Sequence, residues 1–146
     1  MIGDDQLMTL FGNWSGREQL FPTAWTAAGE AEAALTLCPG PNGGLLLDYS
    51  QQRDGAALSG HGVVVDGRWW WFDSYGFVPT APGSARWEGG ELLLERSSER
   101  GRTVTTLTCT DATLEQRIDS AVPADAELRP LMRGTYTRTP PSERPF

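Results

Sequence analysis

Hydrophobic and polar residues alternate along much of this chain with a period of two. The clearest run is 29–38. Ala31, Ala33, Leu35 and Leu37 share one face, and Glu30, Glu32, Ala34 and Thr36 share the other. Successive strand residues point to opposite faces, so this pattern reads as a half-buried strand with its acids outside. Shorter runs of the same kind cover 14–21, 45–52, 58–65, 68–75, 84–88, 91–97, 102–109, 114–120 and 131–138. Turn chemistry separates them. Pro22 ends the first run, and Pro39-Gly40-Pro41-Asn42-Gly43-Gly44 separates the second from the third. Asp54-Gly55, Asp66-Gly67, Gly89-Gly90 and Asp111-Ala112 follow at hairpin spacing. These turns predict antiparallel pairing of 58–65 with 68–75, of 84–88 with 91–97 and of 102–109 with 114–120. Residues 76–84 and 121–130 read as longer loops.

Two segments break the alternation. Residues 4–11 place Leu7, Leu10 and Phe11 at helical spacing, with Asp4 or Asp5 as cap, and predict a short N-terminal helix plugging one end of the fold. Residues 139–146 hold three prolines and read as a flexible Pro-rich tail. The expectation is one all-β domain over 1–138. It is an antiparallel up-and-down barrel or half-barrel of nine or ten strands with that short helix.

Composition narrows the chemistry. With 17 glycines and 10 prolines, the chain has turns enough for many strands. A formal net charge of −7 repels phosphate backbones, so no nucleic-acid partner is expected. Every basic residue is an arginine, which excludes a Schiff-base lysine. No apolar stretch reaches the roughly 20 residues of a membrane helix, and the N-terminus has no apolar signal core. No membrane span is expected, and a cytoplasmic location is the default. Cys38 and Cys109 are the only cysteines and are expected as free buried thiols.

The densest feature is Trp69-Trp70-Trp71-Phe72. Trp69 and Trp71 must face one way with Asp73 and Tyr75, and Trp70 and Phe72 the other. One pair can line the barrel interior, as ordinary core or as a ligand-lining surface, and the other can pack under the helix, meet a partner copy or stay exposed. A carboxylate at Asp73 among aromatics needs a donor, with Arg138 or Arg117 as candidates. His61 is the single histidine; it lacks the companions of a structural metal site. Ser59-Gly60-His61-Gly62 does not form a nucleophile elbow. Neither a calcium loop nor a phosphate-binding glycine loop is present. Candidate ligand-binding residues are Trp69, Trp71, Asp73, Tyr75, His61 and Arg117. No catalytic residue, metal site or cofactor is implied.

Leu10-Phe11-Gly12-Asn13-Trp14-Ser15-Gly16, Trp71-Phe72-Asp73-Ser74-Tyr75-Gly76 and Met132-Arg133-Gly134-Thr135-Tyr136-Thr137-Arg138 occur in this order. Together they resemble the opening, central and closing motifs of DUF1579, a family of bacterial domains of unknown function. The resemblance implies a lipocalin-like or calycin-like barrel. The opening is also similar to Gly-x-Trp-x-Gly-x-Gly of haem-binding nitrobindin-like barrels, and more distantly to fatty-acid-binding-like barrels. Here position 18 is Glu18, and residues 120–146 contain no histidine to take the C-terminal haem-ligating place of the nitrobindin-like group. The calycin resemblance implies barrel closure by Trp14 and Arg138, stacked, with Tyr136 on the same strand face. It also implies a small apolar or amphipathic ligand inside the barrel. The competing readings are a homodimeric interaction or structural module using the exposed aromatic face, and a cavity-based isomerase or hydrolase in which His61, Asp73 or a cysteine converges.

Overall fold

The computed structural model describes residues 7–23, 26–74, 79, 81–98 and 100–139. Its strands are β1 (Gly12–Leu20), β2 (Gly29–Pro39), β3 (Leu45–Arg53), β4 (Ala56–Val65), β5 (Arg68–Asp73), β6 (Gly83–Glu88), β7 (Glu91–Ser98), β8 (Gly101–Thr110), β9 (Thr113–Ala121) and β10 (Arg129–Arg138). Each strand pairs antiparallel with its neighbours in sequence, and β1 pairs with β10, so the sheet closes into a ten-stranded up-and-down barrel. Closure removes the sheet edges that an open meander would expose.

The turn residues do what their chemistry allows. Asp54 and Gly55 have φ of 49° and 80°, Asp66 and Gly67 of 52° and 74°, and Gly89 and Gly90 of 60° and 83°. Two consecutive positive φ values define the tight turns whose twist matches the flanking strands. Four boundaries differ from the sequence expectation by two residues; of these, β1 starts at Gly12 and β4 at Ala56. β10 starts at Arg129 and carries an irregularity between Pro130 and Met132; this extends pairing into a segment whose proline masked it. β5 ends at Asp73, and Tyr75 lies outside the described residues.

The expected N-terminal helix is corrected. Residues 4–6 lie outside the described residues, and Leu7–Leu10 form a single turn in which the Leu10 N–H donates to the Leu7 carbonyl at 2.9 Å. Barrel side chains satisfy the carbonyls that the end of the turn leaves free. Trp14 Nε1 donates to the Leu10 carbonyl at 2.9 Å. Arg138 donates to the Phe11 and Thr9 carbonyls at 2.6 and 3.2 Å. Leu7 and Leu10 are nonetheless buried, so the turn plugs one end of the barrel.

That closed end is where the first and last strands meet. Trp14 stands opposite Arg138 in the β1–β10 register, and the Arg138 guanidinium carbon lies 4.2 Å from the centre of the Trp14 ring. Leu35, Leu37, Leu45, Val64, Leu107 and Leu114 complete a packed core around them.

Candidate functional site

The opposite half of the barrel is not filled. A cavity of about 340 Å³ runs from mid-barrel to the rim at which β3, β5, β7 and β9 end. Leu47, Leu94, Ile118 and Met132 form apolar wall, Trp69 and Trp71 form aromatic wall, and Tyr49, Gln51 and Gln116 add polar atoms. Arg53, Asp73 and Arg96 bring charge toward the rim.

Between the packed half and the cavity sits Glu18. Along β1 the inward phase runs Trp14, Gly16, Glu18, Leu20, and Glu18 is only 1% exposed. A buried carboxylate needs several donors. Tyr49 Oη and Gln51 Nε2 donate to its Oε1 at 2.5 and 2.7 Å, and Tyr136 Oη donates to its Oε2 at 2.5 Å. Gln51 also donates to Tyr49 Oη, and Gln116 to Tyr136 Oη, both at 3.0 Å. Among the described residues, every buried side-chain nitrogen and oxygen has a partner. Burial pushes the Tyr136 phenol far above its ordinary range, and the Glu18 charge and hydrogen bond push it further. Gly134 stands opposite Glu18 on β10, where a Cβ would collide with the Tyr136 hydroxyl. A side chain is thus missing at 134 where the network needs the space.

The aromatic wall depends on two other glycines. Gly60 and Gly62 on β4 pair with Asp73 and Trp71. A Cβ at Gly60 would strike the Trp71 ring, and one at Gly62 the Trp69 ring. The indoles therefore lie flat across β4, 5.7 Å apart between centres and tilted by 30°. Trp71 Nε1 donates to Asp73 Oδ2 at 3.1 Å. The charge opposite Asp73 belongs to Arg96 on β7. Burial lowers the Arg96 pKa, and the Asp73 carboxylate opposes that shift. Arg53 is anchored at the rim, donating to the Ala27 carbonyl at 2.6 Å.

Of the residues singled out from sequence, the structure brings Trp69, Trp71 and Asp73 together in the cavity wall. Tyr75 lies outside the described residues. His61 and Arg117 are on the outer surface. His61 Nδ1 lies 2.6 Å from Asp48 Oδ1, and Arg117 pairs with Glu91 at 2.8 Å. Arg138 is at the closed end, so neither arginine considered for Asp73 reaches it. Cys38 points outward from β2, whereas Cys109 packs against the interior core; both are free thiols. His61, Asp73 and the cysteines therefore do not converge. Among the described residues, no cluster of three or more His, Cys, Asp or Glu side chains could hold a metal, and no helix is long and apolar enough to cross a membrane.

Trp70 and Phe72 face outward. Cys38, Leu46, Val63 and Trp70 line up in register across β2 to β5 as an apolar row, and Phe72 beside it is 40% exposed. Glu18, Gln51, Gln116 and Arg96 were not identified from sequence. The available signal for Glu18 was its phase, two residues from Gly16 and four from Trp14.

Both hydroxyl protons of the Tyr49–Tyr136 pair are committed to Glu18, and the Gln51 and Gln116 amides line the cavity beside them. No family model matches the sequence, and no curated protein matches it. Solved structures do share the fold. Rv2717c from M. tuberculosis aligns with a TM-score of 0.66 and 12% identity over 95% of this chain and 99% of its own. A protein of unknown function from the DUF3598 family, from Nostoc punctiforme PCC 73102, aligns with a TM-score of 0.61 and 12% identity. That alignment covers 91% of this chain and 49% of the Nostoc chain. At such identity these likenesses establish the antiparallel barrel and nothing more.

Proposed function

We propose that this barrel is a binding protein for one small, mainly apolar molecule, held in the rim half of the interior. The cavity carries this reading: about 340 Å³ walled by Trp69, Trp71, Leu94 and Met132, with two amides at its floor. That volume is within the range of small-molecule sites, and the pattern of apolar walls with few polar groups is theirs. The three DUF1579-like motifs support the same reading. The first forms the closed end, the last runs from Met132 in the cavity wall to Arg138 at the closed end, and the middle one supplies Trp71 and Asp73 to the wall.

Titration with N-phenyl-1-naphthylamine, an uncharged fluorescent probe, tests it. Saturable enhancement at one probe per barrel is expected. Thr105→Trp, which fills the cavity from β8, is expected to weaken binding about tenfold, or 1.4 kcal/mol. Equal binding by the wild type and Thr105→Trp would place the probe elsewhere and end the proposal. The outer row ending at Trp70 favours a second reading, self-association through that face. Native mass spectrometry of the same samples counts subunits, and a monomer at all concentrations removes it.

A further inference from the structure

A second concavity adjoins the first. It is about 230 Å³ and lies on the rim between the ends of β7, β8 and β9. Its charged lining is Arg96, Arg100 and Arg102, with no carboxylate, and Ser97, Ser98 and Ser120 add hydroxyls. Arg96 and Thr103 line both concavities, so the apolar chamber and the arginine-lined recess are neighbours that share this part of the wall.

The surrounding charges define what this recess can take. Glu95 pairs with Arg102 at 2.8 Å, and Asp73 faces Arg96. Asp119 is engaged by Arg133 at 2.8 Å. Glu99, next to Arg100 in sequence, lies outside the described residues. Among the described residues three arginines line the recess against two facing acids, on a chain of net charge −7. Guanidinium groups bind planar or tetrahedral oxyanions through paired donors. The floor offers the opposite environment. Glu18 already occupies it, its partners among the described residues are the uncharged Tyr49, Gln51 and Tyr136, and a second anion placed there would be buried beside the first.

We infer that the ligand is an anionic amphiphile, with its apolar body in the chamber and its phosphate, sulfate or carboxylate head against Arg96, Arg100 and Arg102. This rests on the chamber being the binding site, and it adds the head group and the orientation: tail down, anion at the rim.

Calorimetry with decyl phosphate, decanol and inorganic phosphate tests it on the full chain. Decyl phosphate is expected to bind about tenfold tighter than decanol, a difference of 1.4 kcal/mol. Inorganic phosphate alone is expected to give no measurable binding. The double variant R100Q/R102Q should bring the two decyl compounds to within about threefold, by weakening decyl phosphate and leaving decanol unchanged. R100Q alone, in an exposed connection, should show the same direction and guards against a folding defect from losing the Arg102–Glu95 pair. Equal affinities for decanol and decyl phosphate would overturn the head-group assignment while leaving the chamber standing. Phosphate binding as tightly as decyl phosphate would reduce the recess to a bare anion site. Failure of both decyl compounds would remove the chamber and this inference together.

Discussion

The two halves of the barrel interior are built from the same strands and differ in what those strands point inward. Toward the closed end β2 and β3 supply Leu35, Leu37, Leu45 and Leu47, and all are buried in one core with Trp14. Toward the rim β3 supplies Tyr49 and Gln51, which border the open space. The hydrogen-bonded layer at Glu18 lies between them on the β1 side, while Leu47, Trp69 and Leu94 belong to both the core and the cavity wall. It stops the leucine core from extending upward, because a carboxylate with three donors cannot be overlaid by apolar side chains without losing its partners. A barrel can thus keep its stability in one half and its capacity to bind in the other.

The largest expected effect comes from attacking the closed half. Trp14→Ala removes a ring that is 1% exposed, a hydrogen bond to the Leu10 carbonyl and the Arg138 stack. A loss of about 3–5 kcal/mol is expected from the cavity left behind. Trp71→Ala is the matched change in the open half. Its ring already borders empty space, so fewer packing contacts disappear, and about 1–2 kcal/mol is expected. Urea unfolding of both variants makes the comparison. Equal losses would mean that the rim half bears load like the closed half, and that the division drawn between them is wrong.

The division was partly legible in the sequence. Alternation and turn pairs marked the ten strands, because both are local: a strand shows its inner face every second residue, and Asp-Gly or Gly-Gly marks where it reverses. Which face of 69–72 points inward was not legible: Gly60 and Gly62 make room for the indoles on the face they share with Trp69 and Trp71, and only closure of the barrel turns that face inside. Other features depended on closure. Glu18 reads as a surface acid by composition, since acids are seldom buried unless paired. Its partners Tyr49 and Tyr136 are 31 and 118 residues away, and only the closed register brings them together. The same applies to Asp73, which faces Arg96 and not Arg117 or Arg138. Leu7, Leu10 and Phe11 fit one helical turn as well as a longer helix, so their spacing could not show where the helix would stop.

The smallest effect tests the separating layer and is confined to alkaline pH. The phenol of Tyr136 has an ordinary pKa of 10.0, and in the fold it is pushed well above that, by burial first and by Glu18 second. Folded and unfolded chains both hold the proton below about pH 10, so its contribution to stability is constant there. Above that pH the unfolded chain releases the proton and the folded chain keeps it. Stability therefore falls as pH rises, by up to about 1.4 kcal/mol per unit for one proton. Urea midpoints between pH 9 and 11 measure the slope, and ultraviolet absorbance should show one tyrosine that ionises only on unfolding. Tyr136→Phe should remove this component. Glu18→Gln should keep most of it, because burial and not the carboxylate is the larger cause. If Glu18→Gln flattened the slope as fully as Tyr136→Phe, the carboxylate would outweigh burial, and the layer would be a charged centre open to the cavity, not a dry partition beneath it.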